Sequence, residues 1–254
     1  MSQKYLQYLA IAQDAALVAG KILKKRSLIL TQVNARGRRD IKLQADRTAE
    51  KIIISLLCKK NKFSVFSEEA GAIRGNDNQH IWIIDPLDGT VNYSHRLPIC
   101  CVSIGLWCAG QPILGVIYDF NHDEMFTGLA GHGAWLNGTA IKVSGVIKKE
   151  QAILCTGFPV STDFSQSTLL RFVKDIQLYK KVRLLGSAAL SLAYVAAGRV
   201  DAYQENDIAI WDIAAGIAIV EAAQGCVRYA PSKIKNRFMV KAASSAMLQD
   251  GAKR

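Results

Sequence analysis

The chain has 254 residues, half of them hydrophobic, which is enough for a sizeable core in one large domain or two small ones. Its 32 basic and 21 acidic side chains leave a net charge of +11, which suits an anionic partner, either a phosphorylated metabolite or a nucleic acid. No apolar run approaches the ~20 residues that a membrane helix needs, so a membrane protein with helical spans is not expected.

The N-terminal segment and the cysteines bear on cellular location. Polar residues interrupt the apolar residues of the first helix, a pattern that favours an amphipathic helix over a secretion signal. The six cysteines contain no C-x-x-C pair and mostly lie in apolar surroundings. We therefore expect reduced, buried thiols in a cytoplasmic protein.

The first part of the chain, residues 1–150, predicts two helices backed by a mostly antiparallel sheet. Apolar residues at helical spacing predict helices over 3–30 and 45–60, with a basic loop over 31–40 between them. Short strands are expected at 63–67 and 81–85. Turn residues then divide 100–138 into a further run of strands.

The second part, residues 151–254, alternates strands with helices, which is typical of a layered α/β arrangement. Its strands are expected at 151–159, 180–185 and 200–205, and its helices at 167–177, 187–198 and 210–225. No long linker separates the two parts, so we expect one compact unit in which a ligand binds at the junction.

The stretch IDPLDGTVNY, residues 84–93, carries the strongest chemical signal. Asp85 stands at the end of an apolar strand, Pro86 fixes the backbone, and Asp88 follows one turn later. Two carboxylates this close repel each other unless a cation lies between them, and Mg²⁺ takes such oxygen ligands. The N–H groups of Gly89 and Thr90 can face a phosphate. The alternative is an Asp-Pro turn in which Asp88 caps a helix.

Two further acidic positions accompany that stretch. Glu68 and Glu69 follow another predicted strand, and Asp212 begins a helix within a very apolar sequence. The two glutamates could be simply solvated, and Asp212 could be a helix cap. A carboxylate in apolar surroundings nevertheless needs a partner, so the three positions together indicate one shared cation cluster.

The elements EE, WIIDPLDGTVNY and WDIAAG, in this order, resemble the inositol monophosphatase family within the Mg²⁺-dependent, lithium-sensitive phosphatase superfamily. The resemblance extends from the helix that contains Asp46 to the helix that begins at Asp212. It implies a mixed α/β fold, a layered α-β-α-β-α sandwich of the inositol monophosphatase and fructose-1,6-bisphosphatase type. It also implies a homodimer.

The resemblance implies two to three Mg²⁺ ions in each active site. Glu68, Asp85 and the backbone carbonyl of Leu87 would hold one ion. Asp85, Asp88 and Asp212 would hold a second. Glu68 would help to bind a third, weaker ion, mostly through water.

The same resemblance assigns the chemistry and the substrate contacts. Glu69 would be an acid behind the metal ligands. The backbone N–H groups of Gly89 and Thr90 would bind the phosphate. The Thr90 hydroxyl, linked to Asp46, would orient the attacking water and help to deprotonate it. For the substrate ring, the resemblance implies an acid that accepts a hydroxyl hydrogen bond and a turn against the ring, here Glu205 and the residues Gly186, Ser187 and Ala188.

One segment departs from the family pattern. Before the second helix the family commonly has D-L-V-T-x-x-D, whereas this chain has DIKLQAD, with Lys42 and Leu43 in place of Val and Thr. The preceding loop, with Arg36, Arg38 and Arg39, overhangs the metal site in relatives. We expect the change to affect the third ion and hence lithium sensitivity.

The leading function is therefore Mg²⁺-dependent hydrolysis of myo-inositol monophosphate, or of a similar small polyol phosphate, by metal-activated water. No G-x-S-x-G or Cys/His pair supports a covalent route, and no Walker motif supports a kinase. Fructose-1,6-bisphosphatase, adenosine 3′,5′-bisphosphate nucleotidase and histidinol-phosphatase activities stay open. A protein of another class, which binds RNA or the transcription machinery and retains the fold, is permitted by the charge, but no RNA-binding motif supports it.

Overall fold

The computed structural model describes residues 2–25, 32–36, 41–159 and 161–250. Its helices are α1 (Ser2–Lys24), α2 (Gln44–Lys60), α3 (Thr90–Ser94), α4 (Gln166–Ile176), α5 (Ala188–Ala196), α6 (Ile210–Ala222) and α7 (Ser245–Asp250). Its strands are β1 (Val33–Arg36), β2 (Ile41–Leu43), β3 (Phe63–Ser67), β4 (Gly71–Ile73), β5 (Asp77–Asp88), β6 (Cys101–Cys108), β7 (Gln111–Asp119), β8 (Glu124–Leu129), β9 (Gly133–Leu136), β10 (Thr139–Ile141), β11 (Ile153–Cys155), β12 (Lys181–Arg183), β13 (Ala202–Ala209), β14 (Gly225–Pro231) and β15 (Arg237–Ser244).

The first sheet has eight strands in the order β10-β9-β8-β7-β6-β5-β3-β4, and only the β3–β5 pair is parallel. This confirms the mostly antiparallel sheet expected for the first part. Helices α1 and α2 cover one face of this sheet. Alanines line the inner side of α1 and are fully buried, and their small side chains let the helix lie close to its neighbours: Ala12, Ala15, Ala16 and Ala19.

The second sheet has five strands in the order β12-β11-β13-β15-β14. Strand β11 runs parallel to both β12 and β13, as the strand–helix alternation predicts, whereas β13–β15 and β14–β15 are antiparallel. The hairpin of β14 and β15 is not anticipated in the sequence, because most of its side chains are half-buried or exposed and show no clean apolar alternation.

Helices α5 and α6 form the layer between the two sheets. Helix α6 is apolar on all sides because it packs on β5–β8 of the first sheet and on β13–β15 of the second. Helices α4 and α7 lie beyond the second sheet, where Ile176 and Met247 pack with Leu154 and Ala243. The order of layers is α-β-α-β-α, so the predicted fold class is confirmed.

Several predicted boundaries are wrong. Helix α1 ends at Lys24, and residues 33–36 of the predicted loop form strand β1, paired antiparallel with β2. Residues 26–31 and 37–40 lie outside the described residues, and so do Arg38 and Arg39. The strand expected at 151–159 is confined to Ile153–Cys155, whereas β5 and β13 extend well beyond their predicted ends because both continue through register shifts beside the site.

The cysteine prediction is partly confirmed. None of the six cysteines forms a disulfide, but Cys58, Cys108 and Cys226 are only half-buried. In the part of the chain that the structure describes, no helix is both long and apolar enough to cross a membrane.

Candidate active site

Strand β5 brings the central motif to the edge of a cleft. Its last seven residues are buried, and Asp85 and Asp88 both belong to it, with a register shift between them. Asp88 therefore does not cap α3, the helix that follows it. Gly89 caps α3 instead, with φ of 86°, and a Cβ there would lie 2.7 Å from the Ile99 carbonyl oxygen. Only glycine fits both this conformation and this contact.

The side chain of Thr90, at the first position of α3, is fixed by two acceptors. Its Oγ1 lies 3.0 Å from Asp46 Oδ1 and 2.9 Å from the Leu87 carbonyl oxygen. Asp46 also accepts the Leu43 N–H, and burial raises the pKa of its carboxyl to about 6. Because the single Thr90 proton is directed at these acceptors, a lone pair of its oxygen is available to accept a hydrogen bond from water.

Three carboxylates converge beside this pair. Oxygens of Asp85, Asp88 and Asp212 all lie within 4.8 Å of one another. Burial raises the pKa of Asp88 to about 6, and burial and mutual repulsion raise the pKa values of Asp85 and Asp212 well above the usual range. A divalent cation would compensate this charge, and the oxygen-only donor set suits Mg²⁺ rather than a thiolate-preferring metal.

Glu68 lines the same cleft, although it lies outside the three-carboxylate group. Its charge contributes to the raised pKa values of Asp85 and Asp212, and the charge of Glu69 contributes to that of Asp46. Glu68 therefore lies near the three carboxylates, and Glu69 lies near Asp46.

A residue missing from the sequence prediction shapes the turn that carries Glu68. Oε1 of Glu50 accepts the Ser67 hydroxyl hydrogen bond, the Glu69 N–H at 3.1 Å and the Ala70 N–H at 2.9 Å. Glu50 is 5% exposed. It follows Asp46 by four residues in α2, so helical spacing was the signal for it.

The predicted turn at Gly186–Ala188 lies against the carboxylates. Ser187 donates its hydroxyl proton to Asp88 Oδ2, and the Ala189 N–H donates to the same oxygen at 2.8 Å. Asn92, also missing from the prediction, donates to the Leu185 carbonyl at 2.8 Å and joins this turn to α3. Gly186 has φ of 72° and packs against Asn92.

Glu205 reaches the cleft from β13. The Tyr203 hydroxyl donates to its Oε2 at 2.8 Å, and a Cβ on Gly157 would lie 2.9 Å from both carboxylate oxygens. Burial raises the pKa of Glu205 to about 7, and the charge of Asp88 adds to that effect. Tyr203 and Glu205 are two residues apart on one strand face, which was the sequence signal for Tyr203.

These residues enclose a cleft of about 340 Å³ between the two parts of the chain. Its carboxylates are Glu68, Asp85, Asp88, Glu205 and Asp212, and Gly89, Thr90 and the Gly186–Ala188 turn complete its polar lining. Trp211 and Arg237 also line it, and no sequence pattern pointed to either. A cavity therefore lies at the junction of the two parts, where the sequence predicts a ligand site.

Known proteins resemble this chain over most of its length, including the residues of the cleft. The sequence model described as the inositol monophosphatase family matches residues 4–250. An inositol-1-monophosphatase of Mesorhizobium japonicum is 40% identical over 86% of this chain and 84% of its own length. The Nus factor SuhB of Escherichia coli is 39% identical over 86% of this chain and 84% of its own length.

A solved structure gives the same result. The inositol monophosphatase of Anabaena (Nostoc) sp. PCC 7120 superposes with a TM-score of 0.84 at 37% identity, covering 97% of this chain and 94% of that one. Residues 4–250, which the family model matches, include all the cleft residues named above. The chain therefore belongs to the inositol monophosphatase family, whose members are Mg²⁺-dependent phosphoric monoester hydrolases.

Proposed function

We propose that the protein hydrolyses myo-inositol monophosphate, or a closely related polyol monophosphate, to the alcohol and phosphate. The observation that carries this proposal is the buried group of Asp85, Asp88 and Asp212 next to the Thr90–Asp46 pair in one cleft. The similarity to enzymes named inositol-1-monophosphatase supports the choice of substrate.

The proposed metal complement is two to three Mg²⁺ ions. Glu68, Asp85 and the Leu87 carbonyl would hold one, while Asp85, Asp88 and Asp212 would hold another. Glu68 would also bind a weaker third ion through water. When bound, Mg²⁺ neutralises the phosphate charge and lowers the pKa of water.

The protein's own groups then position the reactants. The Thr90 hydroxyl, held by Asp46, accepts a hydrogen bond from the attacking water and directs it at phosphorus. Asp46, whose pKa is about 6, can take up the proton that the water releases. The N–H groups of Gly89 and Thr90, at the left-handed turn before α3, bind the phosphate oxygens.

Glu205 and the Gly186–Ala188 turn recognise the polyol part of the substrate. Glu205 is fixed by the Tyr203 hydroxyl and accepts a hydrogen bond from a ring hydroxyl. The turn Gly186–Ala188 packs against the ring. A polyol hydroxyl bonded to Glu205 distinguishes an inositol phosphate from an ester that has no such hydroxyl.

Phosphate release from a panel of esters, with Mg²⁺ and with EDTA, tests this function. We expect inositol monophosphate to be hydrolysed only with the metal and Li⁺ to inhibit the reaction. Unchanged hydrolysis in EDTA would overturn the proposal. If the same assay shows a preference for fructose 1,6-bisphosphate, adenosine 3′,5′-bisphosphate or histidinol phosphate, the function is the hydrolysis of that ester instead.

Replacement of Glu205 by alanine tests the substrate assignment. A lost charged hydrogen bond lowers kcat/KM for inositol monophosphate by about one to two decades. An ester without ring hydroxyls should lose much less. Equal losses for both esters would show that Glu205 supports the structure only. Glu221→Ala, at an exposed site near the end of α6 and outside the cleft, is the control.

A second candidate function is binding to the transcription machinery. The similarity to a relative named Nus factor SuhB favours it, and the net charge of +11 is compatible with RNA. Titration of the protein with purified RNA polymerase and with RNA measures such binding directly. No binding to either at physiological salt would remove this candidate.

We also propose a cytoplasmic homodimer. Helix α4 has no buried residue, and its side chains Leu170 and Val173 are 54% and 51% exposed. Leu178 and Leu184, which follow α4 in the chain, are also exposed. Burial of such a surface against a second copy would stabilise a dimer. Sedimentation of the wild type and of a Leu170→Glu, Val173→Glu variant tests it, and a monomeric wild type would exclude it.

A further inference from the structure

The hydroxyl of Ser187 is hydrogen-bonded to the carboxylate of Asp88. Both side chains are buried, and Ser187 donates its hydroxyl proton to Asp88 Oδ2. The Ser187 oxygen in turn accepts the Leu190 N–H at 3.2 Å and so caps helix α5. A hydroxyl has one proton, so this one has none left to donate to a substrate oxygen. The Ser187 hydroxyl is therefore a donor to the acid and not to a ligand in the cleft.

Asp88 Oδ2 is surrounded by donors from two elements. Besides the Ser187 hydroxyl, it accepts the Ala189 N–H of α5 at 2.8 Å and the Cys101 thiol at 3.8 Å. Cys101 lies opposite Asp88 in the β5–β6 pair, so the register of the sheet brings the thiol there. A carboxylate oxygen has about two lone-pair sites, and these donors occupy those of Oδ2. The other oxygen, Oδ1, is then the one available to a cation.

The turn that carries Ser187 is itself held by helix α3, which begins two residues after Asp88. Asn92 in α3 donates to the Leu185 carbonyl at 2.8 Å and to the Gly186 carbonyl at 3.3 Å. A Cβ on Gly186 would lie 3.0 Å from Asn92 Nδ2, so the turn packs directly on that amide. Contacts on both sides of the turn therefore fix Ser187 relative to Asp88, although the two residues are 99 positions apart in the chain.

We propose that Ser187 is a positioning residue for the metal ligand Asp88. It fixes the carboxylate so that one oxygen faces the cation, and it thereby sets the affinity of the cleft for Mg²⁺. The inference rests on the proposed function, in which Asp88 is a ligand. It gives the Ser187 hydroxyl a partner other than the substrate ring.

Repulsion among the acids makes this support necessary. Oxygens of Asp85, Asp88 and Asp212 lie within 4.8 Å of one another, so an unsupported carboxylate would turn away from its neighbours when no cation is bound. The hydroxyl of Ser187 and the positive end of the α5 dipole hold Asp88 against that repulsion. Hydrogen-bond partners behind a metal ligand typically contribute about ten- to a hundredfold in metal affinity.

The test measures Mg²⁺ binding to the protein without substrate, by isothermal titration calorimetry. We expect Ser187→Ala to weaken Mg²⁺ binding about tenfold. Ser187→Thr retains the hydroxyl and should bind Mg²⁺ within about twofold of the wild type. Ser191→Ala is the matched control, because it removes a buried hydroxyl of the same helix that donates to the Ser187 carbonyl at 2.7 Å and not to an acid. Its Mg²⁺ affinity should equal that of the wild type.

Cys101→Ala provides a second variant that leaves the cap of α5 intact. It removes another donor to Asp88 Oδ2, so it tests the proposal even if Ser187→Ala does not fold. A thiol is a weak donor, and we expect Mg²⁺ binding to weaken by about threefold. Cys155→Ala removes a buried thiol of β11 outside the cleft and is the control. Equal Mg²⁺ affinities for Cys101→Ala and the wild type would contradict the proposal.

Other roles for Ser187 give different results. If Ser187 only caps α5, Ser187→Ala lowers the melting temperature and leaves the Mg²⁺ affinity unchanged. If its hydroxyl contacts the substrate, KM for the ester rises at saturating Mg²⁺, again with an unchanged Mg²⁺ affinity. Either result overturns the proposal, and so does a wild type that binds no Mg²⁺. A wild type that binds Mg²⁺ but hydrolyses no ester would refute the proposed function alone, and the comparison of Mg²⁺ affinities would still decide the role of Ser187.

Discussion

At the scale of single residues, Asp88 has two roles that a substitution can separate. One of its oxygens accepts the Ser187 hydroxyl and the Ala189 N–H, while its charge lies among Asp85 and Asp212. Asparagine retains an acceptor oxygen for those donors and removes the charge. The hydrogen bonds should therefore survive, and metal binding should not.

We predict that Asp88→Asn lowers kcat at least about a hundredfold and leaves the fold intact. Loss of repulsion should raise the melting temperature of the metal-free protein by about 2–4 °C, the shift for about 1 kcal/mol. Steady-state kinetics over a Mg²⁺ series and calorimetry in EDTA measure these effects. Asp201→Asn, outside the cleft, is the control. Near-normal kcat at saturating Mg²⁺ would show that Asp88 is not a ligand.

Glu50 provides a second prediction at this scale. Replacement by alanine leaves the Ser67 hydroxyl and the Glu69 and Ala70 N–H groups without their acceptor, and the Glu68 turn loses its support. We expect the half-saturating Mg²⁺ concentration to rise about tenfold, with partial rescue by Glu50→Gln, which keeps one acceptor oxygen. The exposed neighbour Lys51→Ala is the control. A change in melting temperature without a change in Mg²⁺ affinity would contradict the role in positioning.

At the scale of elements, a row of glycines sets the position of α6 and hence of Asp212. Gly105, Gly115 and Gly128 are aligned across β6, β7 and β8. A Cβ at Gly115 would lie 2.1 Å from the Ala215 carbonyl oxygen of α6. The missing side chains allow the helix backbone to lie directly on the sheet.

We predict that Gly115→Ala lowers the free energy of unfolding by about 1–3 kcal/mol and weakens Mg²⁺ binding, because α6 must move away from the sheet. Gly145→Ala is the matched control, since nothing lies within 4 Å of a Cβ at that position. Urea denaturation and a Mg²⁺ titration of activity measure both effects. If the free energy of unfolding falls by the predicted amount but the Mg²⁺ affinity is unchanged, the added methyl group displaces the sheet and not the helix.

At the scale of the whole molecule, we propose that residues 1–150 and 151–254 form one compact unit. Helix α6 belongs to the second part but packs on the sheet of the first, and the cleft takes residues from both. The acidic cleft also contrasts with a chain whose net charge is +11. We therefore expect the net charge to attract anions at long range and the carboxylates of the cleft to repel them until a cation is bound.

The raised pKa values predict how stability depends on pH. Asp46 and Asp88 have pKa values of about 6 and Glu205 of about 7, while Asp85 and Asp212 are raised well above the usual range. The folded protein retains these protons above the pKa values of the unfolded chain, which are about 4. The contribution of these groups to stability is therefore largest at low pH and is lost as the pH rises from about 4 to 7 and above.

We accordingly predict that Mg²⁺ raises the melting temperature more at about pH 8 than at about pH 5.5, because the metal replaces protons that the acids have released. Calorimetry at each pH, with Mg²⁺ and with EDTA, gives this difference. The surface acids change the melting temperature equally with Mg²⁺ and with EDTA, so their effect cancels in the difference. A difference that is independent of pH would show that the buried acids do not bind the metal.

The sequence by itself determined the residues whose chemistry is local. The acids of the DPLDGT stretch and Asp212 could be singled out because carboxylates next to apolar runs need a partner. The helices and central strands could be predicted from the spacing of apolar residues along the chain. The tertiary structure alone decided which distant residues meet. Asn92 and Arg237 line the cleft, and Glu50 supports the turn that carries Glu68. The glycine row lies under α6. All of these contacts arise from packing between elements far apart in the chain. The spacing of residues along the chain does not predict those contacts, because they depend on how the helix and sheet layers stack.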